Sequence, residues 1–249
     1  MCGRGVMAVL ALLGAATAAA DGNPYLKVDG AELPTVLPAG KQVAVTVRGF
    51  MLQRHPVTNA EFQAFVDTHP QWRPGAAAAT FADTGYLGQW GAAGGNAPAI
   101  AAQPVTRVSW FAAEAYCEAQ NARLPTWYEW ELAAAANASQ RDARGDPAWR
   151  QQILDWYARP AGAGLAAVEQ APANVYGLHD LHGLVWEWVQ DFNSLLPADA
   201  DPEQFCGSGA QNLQQKENYA VLMRVAMLGS LHATDTGHTL GFRCARDLP

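Results

Sequence analysis

Two blocks restrict what this chain can fold into. They are Asn174-Val-Tyr-Gly-Leu-His-Asp-Leu-His-Gly-Leu-Val-Trp-Glu-Trp188 and, close to the C-terminus, Leu240-Gly-Phe-Arg-Cys-Ala245. The first reads as a glycine- and aspartate-bearing turn that ends in a strand, with Glu187 between core tryptophans. Both are too particular in wording to be products of composition.

Around them lies material for one domain with a substantial core: 249 residues, half of them hydrophobic, with nine Trp. Residues 1–20 carry Arg4, an apolar run from Val6 to Leu13 and an Ala-rich end before Asp21, the layout of a secretory signal peptide. Cleavage near Ala20 is expected, leaving a periplasmic or secreted chain over residues 21–249. No later segment offers the roughly eighteen uninterrupted apolar residues of a membrane span. Loss of Arg4 takes the balance from 16 basic against 23 acidic residues to 15 against 23, a net charge of minus eight with no Lys/Arg cluster. Nucleic-acid and anionic-membrane partners are disfavoured, because both need a concentrated basic surface. Cys2 leaves with the leader, so Cys117, Cys206 and Cys244 remain, an odd count where disulfides are permitted.

Along the chain, Val43 to Val47 alternates like a half-buried strand and Phe50-Met-Leu52 continues it. Thr58 with Glu61 forms a capping-box pattern, opening a helix with Phe62, Phe65 and Val66 on one face. Residues 70–103, rich in Gly, Ala and Pro, read as a long connection with short strands at most. Ser109 is the N-cap of a second helix carrying Trp110, Ala113 and Cys117 on one stripe, and Thr126 with Glu129 repeats the capping box ahead of Trp127, Trp130 and Ala134. Residues 137–172 read as an irregular connection with a short helix around Trp149 to Tyr157. No repeat and no dividing linker is visible.

Four blocks in order resemble the formylglycine-generating-enzyme family, also called the sulfatase-modifying-factor family. They are His55-Pro-Val-Thr-Asn-Ala-Glu-Phe62, the stretch from Pro104 to Glu131, Gly177 to Trp188, and Leu240 to Cys244. The resemblance covers about Phe50 to Asp247. It implies an irregular α+β, C-type-lectin-like fold with little regular secondary structure. It also implies a disulfide between the Ala-Tyr-Cys helix and the Gly-Phe-Arg-Cys terminal strand, which is Cys117 to Cys244 here. Cys206 is then the unpaired thiol.

Members of the family hold a structural calcium ion in the third block. Carried over, its ligands are the side chains of Asp180 and Glu187 and the backbone carbonyls of Gly183 and Val185, a hard-oxygen set that suits calcium. Leu184 stands where the family has Asn, and the plainer reading makes Asp180 a turn former and Glu187 a solvated strand residue between core tryptophans. The family's chemistry rests on two cysteines that bind copper and activate oxygen, converting a substrate cysteine to an aldehyde. With Arg224 set on the family's arginine before the last block, the nearer of these falls at Ala220 and the farther within Asn212 to Glu217, which has no cysteine. Soft thiolates select monovalent copper and alanine cannot replace them, so formylglycine generation by this route is not expected.

Cys206, Arg224 and His232 are the candidate site residues, with Met223, Met227 and His238 completing a soft set that could take copper. Ordinary packing accounts for the methionines and surface exposure for the histidines equally well. His179 and His182 flank Asp180 and read as surface turn residues. Two functions remain. One is an exported accessory or maturation factor holding a periplasmic protein partner, since the wording from Phe205 to Cys244 resembles the family branch found with bacterial copper nitrite reductases. The other is a periplasmic oxidoreductase acting on a small molecule or protein side chain without cysteines, as implied by another cysteine-depleted branch that oxidises a siderophore chromophore. A concave surface near Arg224 with a convergent acid and histidine would favour the enzyme.

Overall fold

The computed structural model describes residues 23–35, 43–91, 95, 98–158, 164–195 and 216–249. The expected leader and Cys206 lie outside the described residues. Chain order is β1 (Tyr25–Val28), β2 (Ala31–Thr35), β3 (Val43–Val47), β4 (Phe50–Gln53), α1 (Asn59–Thr68), α2 (Trp110–Ala119), α3 (Trp127–Ala134), α4 (Pro147–Tyr157), β5 (Trp186–Glu187), α5 (Lys216–Gly229), β6 (Leu240–Gly241) and β7 (Ala245–Asp247).

Each of the first three helices starts where its cap dictates. The Thr58 and Thr126 hydroxyls accept from the amides of Glu61 and Glu129, whose carboxylates in turn accept from the Thr58 and Thr126 amides, and the Ser109 hydroxyl accepts from the amide of Ala112. These bonds satisfy amides that a helix start leaves orphaned. Asp146 caps α4, whose first residue, Pro147, is preset for the first turn and lies two residues before the Trp149 start that the sequence suggested.

The strands are short and their pairing is long-range. β4 is central, antiparallel to β1 (Leu26 opposite Leu52) and to β7 (Met51 opposite Arg246). β2 and β3 form a hairpin, while β5 and β6 pair in parallel with Glu187 opposite Gly241. Gly241 also lets the backbone of Val105 come close, because a Cβ there would lie 2.7 Å from the Val105 carbonyl oxygen. Among the described residues of the 70–103 connection there are turns and single 3-10 turns but no strand. Its apolar residues lack the alternation a half-buried strand needs.

The core is aromatic where α1, α2 and the terminal block meet. Phe62 stacks on Tyr116 at 5.7 Å between centroids, and Phe242 meets both edge-on. A disulfide joins Cys117 of α2 to Cys244 with 5.5 Å between Cα atoms, both residues fully buried. The last strand is thus tied to the chain's middle by β4, by the Arg123–Ala245 bridge and by a covalent bond.

Candidate functional site

Glu187 sits where everything converges. β5 hangs between neighbours, the Trp186 amide donating to the Thr239 carbonyl and the Trp188 amide to the Gly241 carbonyl, which turns the Glu187 carboxylate into the core. There Arg243 grips both oxygens: Nη2 donates to Oε1 at 2.8 Å and Nε to Oε2 at 2.9 Å, while Trp130 Nε1 donates to Oε2 at 2.9 Å. The remaining Arg243 donors reach the carbonyls of Gln53, Arg54 and His179. Both partners are fully buried, and this bidentate geometry with full hydrogen bonding is what makes a desolvated ion pair tolerable.

Arg224 rises from α5 against the same strand. Its Nη2 donates to the Glu187 carbonyl at 2.7 Å, and its guanidinium lies 3.5 Å from the Trp130 ring centroid, with 1% of the residue exposed. Burial pulls its pKa down to about 10, opposed by the negative charge of Glu187.

Beside Arg224 is a cavity of about 30 Å³ whose polar wall is Glu131 of α3, His182 of the turn before β5, and Arg224 itself, with Arg144, Trp130 and Trp149 around them. Glu131 accepts at Oε2 from the Thr35 hydroxyl at 3.0 Å and from Trp127 Nε1 at 2.8 Å, and its Oε1 lies 3.7 Å from Arg144 Nη1. Burial pushes its carboxyl up to about 7 against the pull of the Thr35 hydrogen bond. His182 lies edge-on to Trp130 and Trp149, each at 5.5 Å, with Nε2 3.0 Å from the Ala134 carbonyl oxygen. A carbonyl can only accept, so the proton sits on Nε2 and Nδ1 keeps a lone pair. Burial holds the ring near 4. A larger cleft of about 610 Å³ shares Trp149, Ile153 and His182 with this chamber and is edged by Asp146, Trp156 and Asp180.

Among the described residues, the candidates named from sequence do not gather at one point. His232 follows α5 in a loop, its side chain 85% exposed and its ring 3.5 Å from Asp235. The His238 ring faces the Arg107 guanidinium, which disfavours a metal cation there. His179 is engaged with the Ala171 carbonyl at 2.8 Å. Asp180 has left-handed φ of 59° and accepts from the Glu169 amide at 2.7 Å, while burial raises its carboxyl pKa. Gly183 is also left-handed, at φ 99°, and Val185 is buried. These donors do not fit calcium as one shell, since the Glu187 carboxylate is already neutralised by Arg243 and a second cation would meet that charge. Nothing in the sequence reading had singled out Glu131, and His182 had read as a turn residue. A signal for Glu131 was present, because it lies on the apolar stripe of Trp127, Trp130 and Ala134.

A model of the sulfatase-modifying factor enzyme 1-like domain matches residues 17–248. The chain belongs to the sulfatase-modifying-factor family. Among curated relatives, hercynine oxygenase of Mycobacterium tuberculosis is 34% identical over 184 residues, 66% of this chain and 43% of that protein. Formylglycine-generating enzyme of Streptomyces coelicolor is 34% identical over 166 residues, 58% of this chain and 52% of that protein. The chain therefore spans about half the length of these relatives. Among solved structures, PvdO from Pseudomonas aeruginosa superposes with a TM-score of 0.52 at 17% identity, covering 90% of this chain and 94% of that one. Treponema denticola variable protein 1 does so with a TM-score of 0.52 at 16% identity, covering 90% and 95%. At such identity the likeness concerns the fold, an irregular α+β scaffold of the family with limited regular secondary structure.

Proposed function

We propose that this chain is an exported family member that serves as an accessory or maturation factor for a periplasmic protein, of the copper or nitrite reductase kind, and does not generate formylglycine through copper thiolates. The observation that carries this reading is the state of α5. Ala220 occupies the position of the family's nearer catalytic cysteine, and one turn on, Arg224 is locked under Trp130 and bonded to Glu187. In the family this element carries oxygen chemistry; here its Arg224, Val225, Ala226 and Leu228 are buried as packing. Deletion of the chain from a cell that exports a copper reductase tests the reading. Reduced copper content of the exported reductase, restored by re-expression, is expected. An unchanged reductase together with cysteine-to-aldehyde conversion by the copper-treated protein would overturn it.

A second reading, a periplasmic oxidoreductase working without cysteines, is favoured by one observation: an acid, a histidine and Arg224 line the same cavity. Oxygen consumption by the purified protein, abolished by Glu131→Gln, would move the assignment to it.

A further inference from the structure

We propose that the chamber between α3, α4, the His182 turn and α5 is a binding site for an uncharged polar head group that presents two N–H or O–H donors and one acceptor, a carboxamide being the simplest case. The site stands under either functional reading above, since it depends on the chamber and not on what α5 once carried.

Three observations converge on it. Among the described residues, six buried side-chain polar atoms have no hydrogen-bond partner, and three of them belong to residues lining this cavity: Glu131 Oε1, His182 Nδ1 and Arg224 Nε. Buried polar atoms are almost always partnered, so three around one space mark a place built for an occupant. Their chemistry is also complementary. His182 spends its Nε2 proton on the Ala134 carbonyl, which leaves Nδ1 to accept; Glu131, ionised once the pH exceeds about 7, accepts at Oε1; Arg224 Nε can only donate. An occupant must give two hydrogens and take one. Lastly, about 30 Å³ exceeds the roughly 10–15 Å³ that one water needs, and the shared wall of Trp149, Ile153 and His182 opens on the 610 Å³ cleft, where the rest of a larger molecule has room.

Charge selects against ions. An anion would face the His182 lone pair and the Glu131 carboxylate, whereas a cation would face Arg224, with Arg144 beside Glu131. A carboxamide meets neither objection: its carbonyl takes the Arg224 hydrogen and its NH₂ serves His182 and Glu131.

The test uses the whole mature protein with ¹⁵N-labelled histidine, titrated with acetamide and, as the charged isostere, acetate. Acetamide is expected to move the His182 Nδ1 resonance, assigned by its loss in His182→Phe, in a saturable manner. Acetate, which has no N–H for His182 or Glu131 and brings a repelled charge, should bind more than tenfold more weakly, and acetamide should bind His182→Phe about tenfold more weakly by calorimetry, having lost one buried hydrogen bond. An unmoved Nδ1 resonance under acetamide, or acetate binding as tightly, overturns the proposal. Because the comparison of the two probes is made on the unaltered protein, it does not depend on the variant folding.

Discussion

Glu131 and His182 share a cavity wall and answer burial in opposite directions, which gives the chain a testable pH signature. Glu131 is raised from 4.5 to about 7, so between those values the folded state holds a proton the unfolded chain releases. Its contribution is present below about 4.5 and is lost as pH rises toward 7. His182 is lowered from 6.5 to about 4, so its contribution is present above 6.5 and is lost as pH falls toward 4. Across pH 4.5 to 6.5 the two slopes oppose each other and largely cancel. Replacing one group should uncover the other. In His182→Phe, stability relative to the parent should fall as pH rises through this window, by up to about 1.4 kcal/mol per pH unit, and in Glu131→Gln it should rise. Urea denaturation at several pH values measures this, and parallel profiles for parent and variants would sink the idea. At the same scale, Arg243 explains why the oxygen donors of the third block do not read as a metal shell: an internal guanidinium already holds Glu187.

Elements announced themselves in the sequence in proportion to how local their causes are. Thr58, Ser109 and Thr126 could be read as helix starts because a cap is a contact between residues three apart, and all three helices begin there. β1 and β6 had no such signal, being two to four residues long and defined by partners elsewhere in the chain, whereas the strand at Glu187 was legible from the turn that leads into it. α5 escaped for a different reason. Its buried stripe includes Arg224 alongside Val225 and Leu228, and an arginine reads as a break in an apolar face when its stacking partner, Trp130, is not in view. The same blindness hid two of the three polar walls of the candidate site: Arg224 was named, whereas Glu131 and His182 become chamber walls only once α3 and the turn are brought together. Capping energetics give the prediction at this scale. Thr126→Ala removes the bond to the Glu129 amide at the start of the helix that carries Trp127, Trp130 and Glu131, and should cost about 1 kcal/mol in thermal or chemical unfolding, with Thr126→Ser recovering most of it. Equal losses for the two variants would point to packing of the threonine methyl group instead of the cap.

For the molecule as a whole, the decisive contact is the covalent one. The Cys117–Cys244 bond closes a separation of 127 residues and pins the terminal strand against β4 and α2, where the Cys244 carbonyl accepts from the Gln53 amide and the Ala245 amide donates to the Arg123 carbonyl. The bond acts together with the β4–β7 and β5–β6 pairings, and the buried Glu187–Arg243 pair depends on the same register because Arg243 directly precedes Cys244. Removing the bond should act on both the unfolded and the folded state. In the unfolded chain, freeing a loop of this length is worth about 5 kcal/mol in the chain-entropy account. In the folded chain, loosening of the tail should expose the Ala245 amide and weaken the hold on Glu187. Measured against the oxidised parent, the double variant Cys117→Ser, Cys244→Ser and the reduced parent report the two effects through different readouts, global stability and local amide exchange. Both should lose stability by a similar amount in urea, and both should show faster amide exchange at Ala245 and Gln53 than in α1, which does not contact the bond through its backbone. Uniform exchange across all elements would mean that the tail is held by β4 pairing alone and that the disulfide serves only to constrain the unfolded chain.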